Sequence, residues 1–258
     1  MDIWLTVAGI CFIFLMTTLG SAVVFLFRGE PSKKAQAFFL GLASGIMISA
    51  SIWSLLLPAL DTFRSQYGSL AFLPAVIAVA LGSAFLVVLD FILSAWIKNS
   101  KTDDSIIKPF RLFLAVTFHN IPEGLAGGFA FGVATALHQP LAVFGALGLA
   151  FGIGVQNFPE GMAVALPMKN ALKSNKKAFL WGAGSGIAEP IFAILGYFLA
   201  VKLTVLQPWL LSASAGSMLF VSAEDLIPDS KIEEAPKIGA WGVLIGFVFM
   251  MALDVGLG

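Results

Sequence analysis

Residues 110–137 read FRLFLAVTFHNIPEGLAGGFAFGVATAL, an apolar run with a polar hexapeptide at its centre. A run of this length is what an α-helix needs to cross a hydrocarbon core about 30 Å thick. Its centre holds His119 and Glu123, ionisable groups that each cost roughly 2.5–3.5 kcal/mol or more at membrane depth. The stretch therefore reads as a membrane helix that carries a site.

The following run repeats the device. Residues 119–124 are HNIPEG and residues 156–161 are QNFPEG, both of the form polar-Asn-apolar-Pro-Glu-Gly, 37 positions apart. His119 and Glu123 stand at i and i+4, so they share one helix face, and Gln156 and Glu160 do the same. Pro122 has no N–H to offer the carbonyl of Phe118, and Pro159 has none for Val155. Carbonyls freed in this way at membrane depth are tolerated where they line a cavity or meet an ion. A kink at each proline, beside a carboxylate, is the expected way to open a polar pocket.

The rest of the chain agrees with a membrane setting. It is 59% hydrophobic and 12% charged, with a mean hydropathy of +0.94. A soluble domain carries about 25% charged residues, so too little polar surface is present to cover a water-soluble globule. Lys+Arg and Asp+Glu balance at 15 each, which points away from nucleic acid. Cys11 is the only cysteine, so neither an intramolecular disulfide nor a thiolate cluster is available.

Apolar runs predict eight spans, at about 3–27, 35–58, 71–97, 110–137, 141–168, 177–202, 208–226 and 238–257. The first has no basic leader segment and is long for a signal-peptide core, so it reads as a span. With the N-terminus outside, alternate connections hold 13 of the 15 basic residues, leaving only Arg64 and Lys202 on the outer side. That asymmetry is what the positive-inside rule demands. Both termini are expected outside. Small residues four apart, at Gly41 and Gly45, Gly124, Gly128 and Gly132, Gly148 and Gly152, and Gly182 and Gly186, read as close helix packing.

Depth gathers the polar groups. Counted from the inner ends of their spans, His119, Glu123, Gln156, Glu160 and Glu189 all sit about 12–20 Å above the inner surface, with Ser49, Ser51 and Ser54 about as deep. Three carboxylates and one imidazole in one layer repel unless a cation or protons neutralise them. An imidazole with carboxylates and carboxamides suits Zn²⁺, Fe²⁺ or Mn²⁺, and the lack of thiolates argues against Cu(I). Asp90 is expected to serve packing or to be exposed at the interface, Glu224 and Asp225 to be solvated or capping, His138 to be solvated, and Asp254 carries no assignment.

HNIPEG followed by QNFPEG on consecutive spans resembles the metal-binding helices of the ZIP (Zrt/Irt-like) transporters, and most closely their GufA-like branch. Similarity extends to ASGIM through SLLLP at 43–58, to GIAEP at 186–190, and to AGSM through EDLIP at 215–228. The resemblance implies an all-α integral membrane protein: a bundle of eight transmembrane helices forming one transporter domain over residues 1–258. It implies passage of a divalent cation, zinc foremost and Fe²⁺, Mn²⁺ or Cd²⁺ besides, toward the cytoplasm through a binuclear site between helices 4 and 5. By matching position, His119, Glu123 and Glu160 would hold the transported metal, with Ser54 nearby. Asn120, Gln156, Asn157 and Glu189 would form a second site, bridged by Glu123 and Glu160, and Met47 would stand near the outer entrance. The lipid bilayer is then a partner, a bacterial inner membrane is the expected location, and a homodimer is among the assemblies the sequence allows. Some relatives have Asp or His where this chain has Asn157 or Gln156, and no histidine lies in 98–110, where only Asp103 and Asp104 stand as acids.

Two other classes compete. An intramembrane metalloprotease wants H-E-x-x-H, which is absent, and H-N-x-x-E lacks the second imidazole. A proton-coupled carrier of an organic solute would use the same carboxylates without metal. The paired hexapeptides weigh against both.

Overall fold

A computed structural model describes residues 3–27, 29, 31–98, 104–137, 140–200, 204–233 and 236–257. Backbone groups in lipid must bond within the chain, and helices achieve this locally. Accordingly the described residues contain helices and no strand. They are α1 (Ile3–Ala22), α2 (Lys33–Ala50), α3 (Leu57–Tyr67), α4 (Phe72–Lys98), α5 (Asp104–Leu137), α6 (Pro140–Leu172), α7 (Asn175–Ser185), α8 (Ala188–Ala200), α9 (Gln207–Val221), α10 (Ile227–Ser230) and α11 (Pro236–Leu257).

Seven helical stretches are long and apolar enough to cross a membrane, among them Lys33–Leu70, Asn175–Ala200 and Gln207–Ser230, each built of consecutive helices. The remaining long helix is α5, with 34 residues. It falls outside that set because HNIPEG interrupts its apolar run. The chain is thus a multi-pass membrane protein of seven to eight spans. Its outer surface suits lipid: Phe91, Phe198 and Phe144 are 75%, 71% and 72% exposed.

The breaks in these spans have local causes. Pro58 and Pro228 cannot donate to the carbonyls of Ser54 and Glu224. Ahead of each proline the helix widens to a π-helical turn, at Ser51–Leu56 and Ser222–Leu226. There Leu57 N–H bonds Ile52 O and Ile227 N–H bonds Ser222 O, each five residues back. The Asn175–Ala200 stretch turns at Gly186 and Ile187, so Glu189 falls in the first turn of α8. By contrast α5 and α6 run as unbroken α-helix across Pro122 and Pro159.

Packing is pairwise. α2 lies on α11 and α9 on α4, while α1 lies on α6 and α8 on α5; α5 and α6 also meet each other. Small residues set the closeness. A Cβ at Gly128 would stand 1.8 Å from the carbonyl oxygen of Ala193, and one at Gly161 would stand 2.0 Å from that of Thr17. Gly148 departs from the expected packing role, since a Cβ there would meet nothing within 4 Å.

Two helices outrun their apolar stretches: α5 starts at Asp104 and α6 ends at Leu172. Lys169, counted among the loop cations by sequence, is instead almost wholly buried in α6. Its Nζ donates to the carbonyls of Val24 (3.1 Å) and Phe27 (2.7 Å), tying down the turn that ends the first span.

Candidate metal site

The crossing of α5 and α6 brings the two hexapeptides together. His119 Nε2 lies 3.2 Å from Glu160 Oε2, and Gln156 Nε2 donates to Glu123 Oε1 at 2.9 Å. One potential ligand atom from each of His119, Glu123 and Glu160 lies within 4.8 Å of the other two. All four side chains are completely buried. The i, i+4 spacing on each helix supplies two neighbours, and the helix pair supplies the other two.

This cluster is short of partners. Glu123 Oε2, Glu160 Oε1 and Gln156 Oε1 make no hydrogen bond among the described residues. A buried polar atom left unpaired costs about 1–3 kcal/mol, so three in one place destabilise the fold unless a ligand uses them. An imidazole and two carboxylates are a zinc-type donor set.

The other residues expected at the site are spread around it. Asn120 Nδ2 donates to the carbonyl of Ser185 at 3.2 Å, at the end of α7. Asn157 is fully buried beside Glu189. Glu189 accepts from the Thr17 hydroxyl at 3.3 Å. The Glu189 backbone abuts α5 beside Glu123: a Cβ at Gly124 would lie 2.5 Å from the Glu189 carbonyl oxygen. Ser54 takes a different partner, donating to Asp254 Oδ1 at 2.6 Å. It borders Gly152, one turn before Gln156 on α6, where a Cβ would come 3.1 Å from the Ser54 Oγ. Met47 is fully buried in the main core cluster.

Sequence reasoning missed three neighbours. Thr17, fully buried on α1, holds Glu189. Asp254, half-buried on α11, holds Ser54; an acid inside an apolar run was the available signal. Met218 Sδ lies 4.0 Å from Gln156 Nε2. No spacing rule points to the two from α1 and α9.

The acids expected to serve packing or solvation have a second arrangement. Asp90, expected to serve packing or to be exposed at the interface, is forked by Arg111, with Nε to Oδ1 at 3.0 Å and Nη2 to Oδ2 at 2.6 Å. Both line a cavity of about 200 Å³ together with Glu224 and Asp225. Glu224 is exposed, as expected of a solvated residue. His138 and Asp103 lie outside the described residues.

Comparison with known proteins bears on this geometry. Residues 100–254 match the family described as ZIP zinc transporter. The chain is 33% identical to the "Zinc transporter ZIP11" of Bos taurus, with 97% of this chain and 96% of that protein aligned. It is 33% identical to the "Zinc transporter GufA" of Myxococcus xanthus, covering 94% of each. It is 32% identical to the "Zinc transporter ZupT" of Stenotrophomonas maltophilia, covering 95% of this chain and 93% of that one.

Proposed function

The chain belongs to the ZIP zinc transporter family, and from that premise we propose that it carries zinc across the membrane toward the cytoplasm, with His119, Glu123 and Glu160 as ligands of the transported ion. One observation carries the assignment of the site: an imidazole and two carboxylates converge within 4.8 Å at full burial, where α5 meets α6. A zinc held by one nitrogen and two oxygens keeps room for exchange, which passage requires.

Asn120, Gln156, Asn157 and Glu189 form a second metal position in this reading, with Glu123 and Glu160 shared between the two. The unpaired Gln156 Oε1 and the burial of Asn157 and Glu189 support it. Ser54, held by Asp254, belongs to the approach rather than to the ligand set. Fe²⁺, Mn²⁺ and Cd²⁺ fit the same oxygen-rich donors as alternative cargo. The distribution of lysines supports termini outside and a cytoplasmic basic end, in a bacterial inner membrane. The whole chain acts as one transmembrane domain, and it works as a transporter rather than an enzyme, in keeping with the names its relatives bear.

The test is zinc flux into liposomes holding the purified wild type, Glu123→Gln or Glu160→Gln. Loss of flux in both variants, with helical circular dichroism kept, supports the assignment. Wild-type flux in either variant removes that carboxylate from the path.

A further inference from the structure

The ligand cluster is sealed. His119, Glu123, Gln156 and Glu160 have no contact with solvent, so a passing ion reaches them only when helices part. Glycine contacts show which helices stay together. A Cβ at Gly20 or Gly128 would stand 1.8 Å from the carbonyl oxygen of Phe158 or Ala193, which joins α1 to α6 and α5 to α8. One at Gly45 would stand 2.0 Å from the Val243 carbonyl oxygen, and one at Gly216 2.1 Å from that of Val79, which joins α2 to α11 and α9 to α4. Backbones this close are interlocked. The bundle thereby divides into two halves: α1, α5, α6, α7 and α8 in one, and α2, α4, α9, α10 and α11 in the other.

The seam between the halves, where α5 faces α4 and α9 and α6 faces α2, is made differently. Gly152 borders it, and a Cβ there would meet the Ser54 Oγ at 3.1 Å, a side chain rather than a backbone. The seam passes the cluster, since Gln156 reaches Met218 of α9. At the basic end polar side chains span it. Arg111 of α5 forks Asp90 of α4, Lys108 of α5 meets Asp229 of α10, and Asn170 of α6 donates to Gln36 of α2 at 2.8 Å. Arg111 lies eight residues, about two turns, before His119 on the same helix. The Arg111 and Asp90 side chains are 43% and 48% exposed. Such a pair contributes little net stability, because water replaces each partner when it opens. Its planar fork still fixes one closed geometry. It can be made and broken repeatedly, as an interlocked glycine contact cannot.

We propose that the Arg111–Asp90 fork is a latch closing the basic end of this seam, and that it opens each time an ion leaves the cluster. The latch rests on the transport reading above. Arg111 is then a positioning residue: it touches no ion, but it sets α5, and His119 with it, against α4. The closed form is the one that takes zinc from the opposite side of the membrane.

The experiment uses the full chain in liposomes, in a Cys11→Ser background, with Asp90→Cys/Arg111→Cys joined by a bis-methanethiosulfonate cross-linker. Zinc flux, and hydrogen exchange of the α5 amides from Arg111 to His119, are measured before cross-linking, after it, and after reduction. Cross-linking is expected to slow the exchange and to lower flux at least about tenfold while zinc still binds, and reduction restores both. Asp90→Asn alone raises the zinc KM about threefold or more, because unlatched protein spends less time in the closed form. Asp90→Glu, which keeps the charge, stays near the wild type. Full flux or unaltered exchange after complete cross-linking overturns the latch, as does a KM that Asp90→Asn leaves unchanged. Exchange is read without flux, so a wild type that moves no zinc ends the transport reading while the latch is still decided.

Discussion

The imidazole of His119 on α5 lies 3.2 Å from the carboxylate of Glu160 on α6, and neither side chain has any contact with solvent. Two ligands of one tetrahedral zinc, each about 2.1 Å from the ion, stand about 3.4 Å apart. The pair is therefore already spaced for a shared ion. Glu123, held by Gln156 at 2.9 Å, offers an oxygen within 4.8 Å of both.

Such ligands bind zinc without their protons, so binding releases protons and acid competes with the metal. Zinc affinity should fall as pH is lowered, and calorimetry in two buffers of different ionisation enthalpy should register proton release. Affinity indifferent to pH, with no protons released, would count against an imidazole–carboxylate site.

Ser54 reaches Asp254, not the cluster. Ser54→Ala should thus lower zinc flux far less than Glu160→Gln, which removes a ligand charge and should cost at least about tenfold. Equal losses would put Ser54 among the ligands.

Thr17 donates to Glu189 across the α1–α8 contact, with both residues buried. Thr17→Val keeps the shape but strips the donor, leaving a carboxylate oxygen unpaired at a cost of about 1–3 kcal/mol. Its melting temperature should drop, and Thr17→Ser should restore it. A Thr17→Val protein as stable as the wild type would show that Glu189 finds its partner elsewhere.

Gly128 and Gly148 form a paired test of packing. Gly128→Ala drives a methyl to 1.8 Å from the Ala193 carbonyl and must part α5 from α8, whereas Gly148→Ala enters open space. Overpacking of this kind costs about 1–3 kcal/mol. A lower melting temperature is expected for the first and no loss for the second; matching melts would mean the α5–α8 contact is loose.

The spans and the cluster were legible because both rest on local rules. Length and apolarity mark a membrane helix whatever its neighbours, and i, i+4 spacing puts His119 beside Glu123 before any tertiary contact forms. Partners brought by folding were not legible. Arg111 stands 21 residues from Asp90, and Thr17 stands 172 from Glu189, so no periodicity links them. Lys169 read as a loop cation because its burial depends on carbonyls of the first span. The π-helical turns had a signal, Pro58 and Pro228, but a proline alone does not say whether a helix kinks, widens or stops. At Pro122 and Pro159 the helix neither widens nor stops.

The central claim is that one zinc sits among His119, Glu123 and Glu160. The chain has only two histidines, so X-ray absorption at the zinc edge of untagged, zinc-loaded protein tests it directly. The account predicts nitrogen and oxygen neighbours at about 2.0–2.2 Å, no sulfur, and one imidazole scattering pattern that disappears in His119→Ala. An imidazole pattern that survives in His119→Ala, or a zinc shell with no imidazole in the wild type, would contradict it.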